Sequence, residues 1–123
     1  MQLALVALFG AAGACARYGL GVATNAQAAA FPWTTLAINV AGSFALGLVL
    51  GGGPGRLSPQ LVTAAGTGFL GAFTTFSTFS HETQTMLRDH RASAAAAYVA
   101  LSVVGGIAAA AAGWALGRRT LPA

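Results

Sequence analysis

Charge is what this chain most conspicuously lacks. Of its 123 residues 7% are charged and 56% are hydrophobic, whereas ordinary soluble domains carry about 25% charged residues. Lysine is absent, and six arginines against two acids give a formal net charge of +4. A water-facing surface needs charged groups, so a chain with a mean hydropathy of +0.72 turns most of its surface to lipid. The arginines stand singly or in pairs at the edges of apolar stretches, where they meet phospholipid headgroups. No basic stripe with interleaved aromatics is present, so nucleic acid is not expected as a partner.

Other absences narrow the function further. The lone Cys15 cannot form an intrachain disulfide or build a zinc site, and reads as a small apolar residue at a helix contact. His81 and His90 lack the cysteine or carboxylate spacing of a metal site. There is no paired carboxylate, no activated nucleophile and no cofactor fingerprint. The run Gly51-Gly52-Gly53-Pro54-Gly55 lacks the Lys-Ser/Thr that would make it a phosphate loop. The expectation is a transport or structural protein rather than an enzyme.

What is present is apolar sequence in lengths that suit a bilayer, for which about 20 residues suffice. The spacing predicts four membrane helices, over 3–22, 32–50, 59–87 and 92–116, forming one membrane domain of 1–123. Pro32 suits the first turn of the second helix, where its missing N–H is not needed, and the glycine-proline run ends that helix. The first stretch has no basic leader and is followed by three more, so it reads as a retained span rather than a signal peptide. Short connections make consecutive spans antiparallel. Glycine accounts for 17 residues, and pairs four apart, Ser43/Gly47 and Gly113/Gly117, let helix backbones approach closely. Four short, smooth helices can hardly enclose a pathway alone, so an oligomer is expected.

Orientation follows from arginine placement. The Arg56 turn and Arg118-Arg119 share one side with the N-terminus, and Arg88 and Arg91 take the other, joined by Arg17 if it lies near its helix end. Three arginines against three leave almost no bias. The expectation is dual topology, with subunits inserting both ways and pairing as an inverted dimer.

The third span departs from a lipid-facing helix. Gly66, Gly68 and Gly71 precede five hydroxyl residues, Thr74, Thr75, Ser77, Thr78 and Ser80, which are interleaved with Phe76 and Phe79. Glycine and β-branched threonine both weaken a helix. Backbone freed at membrane depth must be buried in protein or line a cavity, so a break is expected near 71–76. Phe69, Phe73 and Phe76 also have the spacing of ordinary helix packing, but the hydroxyls exceed what one helix needs. An anion leaving water requires replacement donors, and aromatic edges carry positive quadrupole density. Phe76 and Phe79, three apart, could present such edges together. Asn39, well inside the second span, offers an amide for the same purpose or for an interhelical hydrogen bond. Arg17 reads either as a snorkelling residue or as the charge of an electropositive vestibule. Glu82 reads as lying near an interface.

Three strings in order carry a family resemblance. Gly10-Ala11-Ala12-Gly13-Ala14-Cys15-Ala16-Arg17-Tyr18, Thr35 to Phe44 with Asn39 at its centre, and Gly68 to Phe79 ending in Thr74-Thr75-Phe76-Ser77-Thr78-Phe79 are similar to the signatures of the Fluc (CrcB-type) fluoride channels. Ala72 stands where some members have glycine. The resemblance covers the whole chain. It implies an all-α, antiparallel homodimer in the bacterial inner membrane, with two pores that passively export fluoride and relieve its toxicity. It implies Phe76 and Phe79 as aromatic anion ligands beside Asn39, with Ser77 and Thr78 along the path and Tyr98 and Ser102 as further polar contributors. It also implies a structural sodium ion on the dimer axis, held by the Gly71 and Thr74 carbonyls, and no organic cofactor. A proton-coupled small multidrug transporter shares the size and layout but needs a carboxylate in its first span, which is missing here. A non-transporting assembly subunit would need only apolar bulk at Phe76 and Phe79.

Overall fold

The structure, a computed structural model, describes residues 1–120. It is helical almost throughout. Helix α1 spans Gln2–Ala23, and a short 3₁₀ turn at Ala26–Ala28 leads to α2, Trp33–Gly52. A third helix, α3, occupies residues 59–73; α4 follows at Phe76–Arg88 and α5 at Ala92–Thr120. Three of these, α1, α2 and α5, are long and apolar enough to cross a membrane. At 1.5 Å per residue, the 22 residues of α1 reach about 33 Å, close to the thickness of a hydrocarbon core.

Local chemistry explains the ends. Pro32 is the residue before α2 rather than its first turn, and α2 runs on to Gly52 before the chain reverses through Gly55 at φ +88°. Ser58 starts α3 by accepting the Leu61 N–H at 3.3 Å, with Pro59 in the first turn. At the end of α4, the Arg91 N–H reaches back to the Met86 carbonyl at 2.8 Å, and His90 takes the left-handed conformation, φ 58°. That closure is usually made with glycine.

Helix α3 is not uniform. Residues Ala64–Leu70 form wide π-helical turns, a rare geometry that is common at functional positions. Regular helix resumes at Gly71–Phe73 and stops there. Thr74 (φ −76°, ψ 159°) and Thr75 (φ −150°, ψ 113°) are extended, and α4 begins at Phe76. β-branched residues are at ease in extended backbone. Thr75 also caps α4, its hydroxyl accepting the Thr78 N–H at 3.2 Å.

Small residues set the packing. A Cβ on Gly47 would meet the Ala110 carbonyl, and one on Gly113 would meet the Phe44 carbonyl. Gly51 and Gly117 continue that seam against Trp114 and Leu48. Gly13 of α1 abuts the Phe69 backbone, while Gly68 abuts Val6 and Phe9. Contacts advance in the same direction along α2 and α5, and along α1 and α3, so the helices of each pair run parallel. Cys15, expected at a helix contact, lies instead on the exposed side of α1.

Few side chains are fully enclosed. Tyr98, Ala95 and Met86 form a small buried cluster flanked by Phe31, Leu36 and Phe79. Leu3, Leu8, Val104, Ile107 and Trp114 are among many large apolar residues left exposed. That is the surface of a multi-pass membrane protein, for which lipid is the solvent.

Candidate functional site

The interruption between α3 and α4 is held from α1 and α2. Asn39 of α2 makes a reciprocal pair with Thr75: its Oδ1 accepts the Thr75 N–H at 2.8 Å and its Nδ2 donates to the Thr75 carbonyl at 3.1 Å. Thr75 precedes the first turn of α4, so its N–H has no intrahelical partner, and an amide can accept from that N–H while donating to the carbonyl. Arg17 of α1 donates from Nε to the Ala72 carbonyl at 3.1 Å, at the last turn of α3. Within the chain, the Thr74 hydroxyl and N–H both bond the Leu70 carbonyl at 3.0 Å.

Two hollows open beside this crossing. The larger, about 590 Å³, is lined by Arg17, Tyr18, Thr34, Thr35, Thr75, Thr78 and Glu82 among others. The smaller, about 250 Å³, has Asn39, Gly42, Ser43, Gly71, Thr74 and Phe76 on its walls. The extended residues separate them, with Thr75 bordering both.

The aromatic pair sits at the start of α4. The Phe76 and Phe79 rings lie 5.6 Å apart at 44°, and Phe79 continues to Tyr98 at 5.2 Å. Phe76 is 79% exposed in the single chain, an unusual condition for an aromatic residue at a crossing of helices. The interruption divides the phenylalanine series: Phe69 and Phe73 stack on each other at 5.8 Å within α3. Of the hydroxyls, Thr78 faces the larger hollow and contacts Thr75 Oγ1 at 3.0 Å, while Ser77 is exposed and 3.3 Å from the same oxygen. Ser102, one turn beyond Tyr98, has a buried hydroxyl with no hydrogen-bond partner among the described residues.

One arrangement escapes a reading of the sequence. Glu82, read there as lying near an interface, is half-buried and receives two hydroxyl donors, Thr35 Oγ1 at 2.7 Å and Tyr98 OH at 2.6 Å. Three helices thus converge on one carboxylate. Thr35 shares a helix face with Asn39 and Gly42, four and seven positions on, and that period was the available signal. Among the described residues, no group of three or more His, Cys, Asp or Glu side chains could hold a metal ion.

Comparison with known proteins agrees in extent with this architecture. The family described as CrcB-like protein, Camphor Resistance (CrcB), matches residues 4–114. A protein of Solidesulfovibrio magneticus named fluoride-specific ion channel FluC is 44% identical over 120 residues, covering 95% of this chain and 96% of that one. Fluoride-specific ion channel FluC 1 of Symbiobacterium thermophilum is 46% identical, covering 95% and 98%. The FluC protein of Bordetella petrii is 47% identical over 105 residues, covering 84% and 80%. With a family match across all five helices and relatives this similar over nearly their whole length, the chain belongs to the CrcB-like family.

Proposed function

We propose that the protein is a fluoride-selective channel that passively exports fluoride across the bacterial inner membrane, as an antiparallel, dual-topology homodimer with two pores. The observation that carries this reading is the Phe76–Phe79 pair just beyond the interrupted helix, with Phe76 uncovered in the single chain. A second copy would cover it and complete a pathway that one chain leaves open. The names of the relatives supply the ion.

The interruption lies, in this reading, near the middle of a span formed by α3 and α4 together. The Tyr98 hydroxyl is already donated to Glu82. Dehydrated fluoride meets ring edges of Phe76 and Phe79, then hydroxyls of Ser77, Thr78 and Ser102, with the Asn39 amide beside them. Each replaces part of the water shell that the ion surrenders. Arg17 brings a positive charge to the larger hollow, which the Glu82 carboxylate also borders. The inside-negative potential drives the anion outward at about 2.3 kcal/mol per charge per 100 mV.

The residues also fit a structural sodium ion. Among the described residues, no hydrogen bond is made to the Gly71 or Thr74 carbonyls, although both residues border the smaller hollow. Carbonyls at a helix end and in the extended residue beyond it suit a hard monovalent cation. Paired across a dimer axis, Gly71 and Thr74 of each copy would hold the ion, which supplies charge to pin the two interruptions together.

Phe76→Ile tests the reading. It keeps apolar bulk and removes the ring, so fluoride flux should fall at least to the leak level of empty vesicles while the dimer still forms by cross-linking. Normal flux in that variant would reject the aromatic-ligand role and favour the assembly-subunit alternative.

A further inference from the structure

The Arg17 contact points to a role beyond vestibule charge. The C-terminal end of a helix carries carbonyls without intrahelical partners and a partial negative charge. Many helices close such an end with the next residues of their own chain. After Phe73 the chain is extended, so α3 has no such closure beyond the two bonds Thr74 makes to Leu70. Arg17 reaches the Ala72 carbonyl from a different helix, 55 residues away in sequence, and is half-buried there.

Its placement follows from the crossing of α1 and α3. Gly13 lets the α1 backbone lie against Phe69. One turn further along both helices, which run the same way here, Arg17 meets Ala72. The contact is therefore registered by the closest point of the two backbones and not by a flexible surface reach. On the other side, Asn39 of α2 holds Thr75, three residues on. The extended pair Thr74–Thr75 is strung out from the first anchor to the second, with the Thr74 carbonyl free between them and the Gly71 carbonyl free just before the first.

We propose that Arg17 is a positioning residue, capping α3 through the Ala72 carbonyl and thereby fixing the interruption that sets Phe76 at the head of α4. Its functional consequence rests on the channel reading; its geometric part does not. A vestibule charge could be supplied by any cation in the hollow. The cap requires the guanidinium Nε–H, which lies two bonds nearer the backbone than the end of the fork and holds a fixed plane. Lysine keeps the charge and lacks that donor.

The experiment compares the full-length protein with Arg17→Lys and Arg17→Met in lipid nanodiscs by hydrogen–deuterium exchange across 71–78. Fluoride and chloride release from liposomes is recorded for the same samples, normalised to folded protein. Arg17→Lys should raise exchange in that segment by about tenfold, leave α2 and α5 unchanged, and lower fluoride release in proportion despite the retained charge. Arg17→Met, which reaches as far as Nε but is neutral and has no donor, should do the same, and keeps the test available if the lysine variant folds poorly. Exchange at wild-type levels in either folded variant would overturn the proposal, as would full fluoride release by Arg17→Lys with only Arg17→Met impaired, the pattern of a simple vestibule charge. If the wild-type protein itself releases no fluoride, the channel reading fails, and the exchange comparison still decides whether Arg17 holds the interruption.

Discussion

Replacing Asn39 with leucine isolates the other anchor. Leucine has a similar volume but can neither accept the Thr75 N–H, now 2.8 Å from Oδ1, nor donate to the Thr75 carbonyl, 3.1 Å from Nδ2. A backbone group stranded away from water costs about 1–3 kcal/mol. Thr75 is only half-buried, and hydrogen bonds between helices in membranes contribute about 0.6 kcal/mol on average. Taking about 1 kcal/mol for each of the two groups gives about 2 kcal/mol, or about a thirtyfold shift in the local opening equilibrium. The assay is amide exchange of the Thr75 N–H in nanodiscs, which reports local opening directly. It should accelerate about thirtyfold while amides of α1 and α5 hold their rates. Wild-type exchange at Thr75 in the leucine variant would mean that the extended pair holds itself, and the bracing argument would be refuted.

The glycine seam and the helix ends make two further predictions. Gly113→Leu forces α2 and α5 apart at the Phe44 carbonyl and should cost at least the about 1–3 kcal/mol of an overpacked core; Gly19→Ala, where nothing lies within 4 Å, should be neutral or gain up to about 1 kcal/mol of helix propensity. Thermal unfolding in detergent separates the two, and equal melting temperatures would count against the seam. His90→Gly removes a side chain from left-handed backbone at φ 58° and should stabilise by about 1 kcal/mol, read as a higher melting temperature; a lower one would mean that the imidazole makes a compensating contact.

Much of the fold is legible because lipid imposes a simple code. Apolar runs of bilayer length with glycine, proline and arginine between them mark α1, α2 and α5, and the pairs Ser43/Gly47 and Gly113/Gly117 announce a close crossing. The string from Gly66 to Ser80 advertises weak helix, since its glycines and threonines oppose one, and the extended residues fall at Thr74 and Thr75. Its π-helical stretch is not legible, because a helical period of 3.6 carries no sign of where the turns widen. Contacts that depend on tertiary register are hidden too. Arg17 reads as a charge near a helix end, and only the Gly13 crossing reveals Ala72 as its partner. Glu82 reads as peripheral, since nothing local joins it to Thr35, 47 residues earlier, or to Tyr98, 16 residues later. Cys15 is small enough for a contact or a lipid face, and the sequence offers no means of choosing between them.

The central claim is that this chain, paired with itself, conducts fluoride and excludes other halides. Purified protein reconstituted in liposomes, with fluoride and chloride efflux recorded side by side, addresses it most directly. Rapid fluoride release with chloride retained is the predicted result; equal release of both ions, or release of neither from vesicles shown to contain the folded dimer, would contradict it.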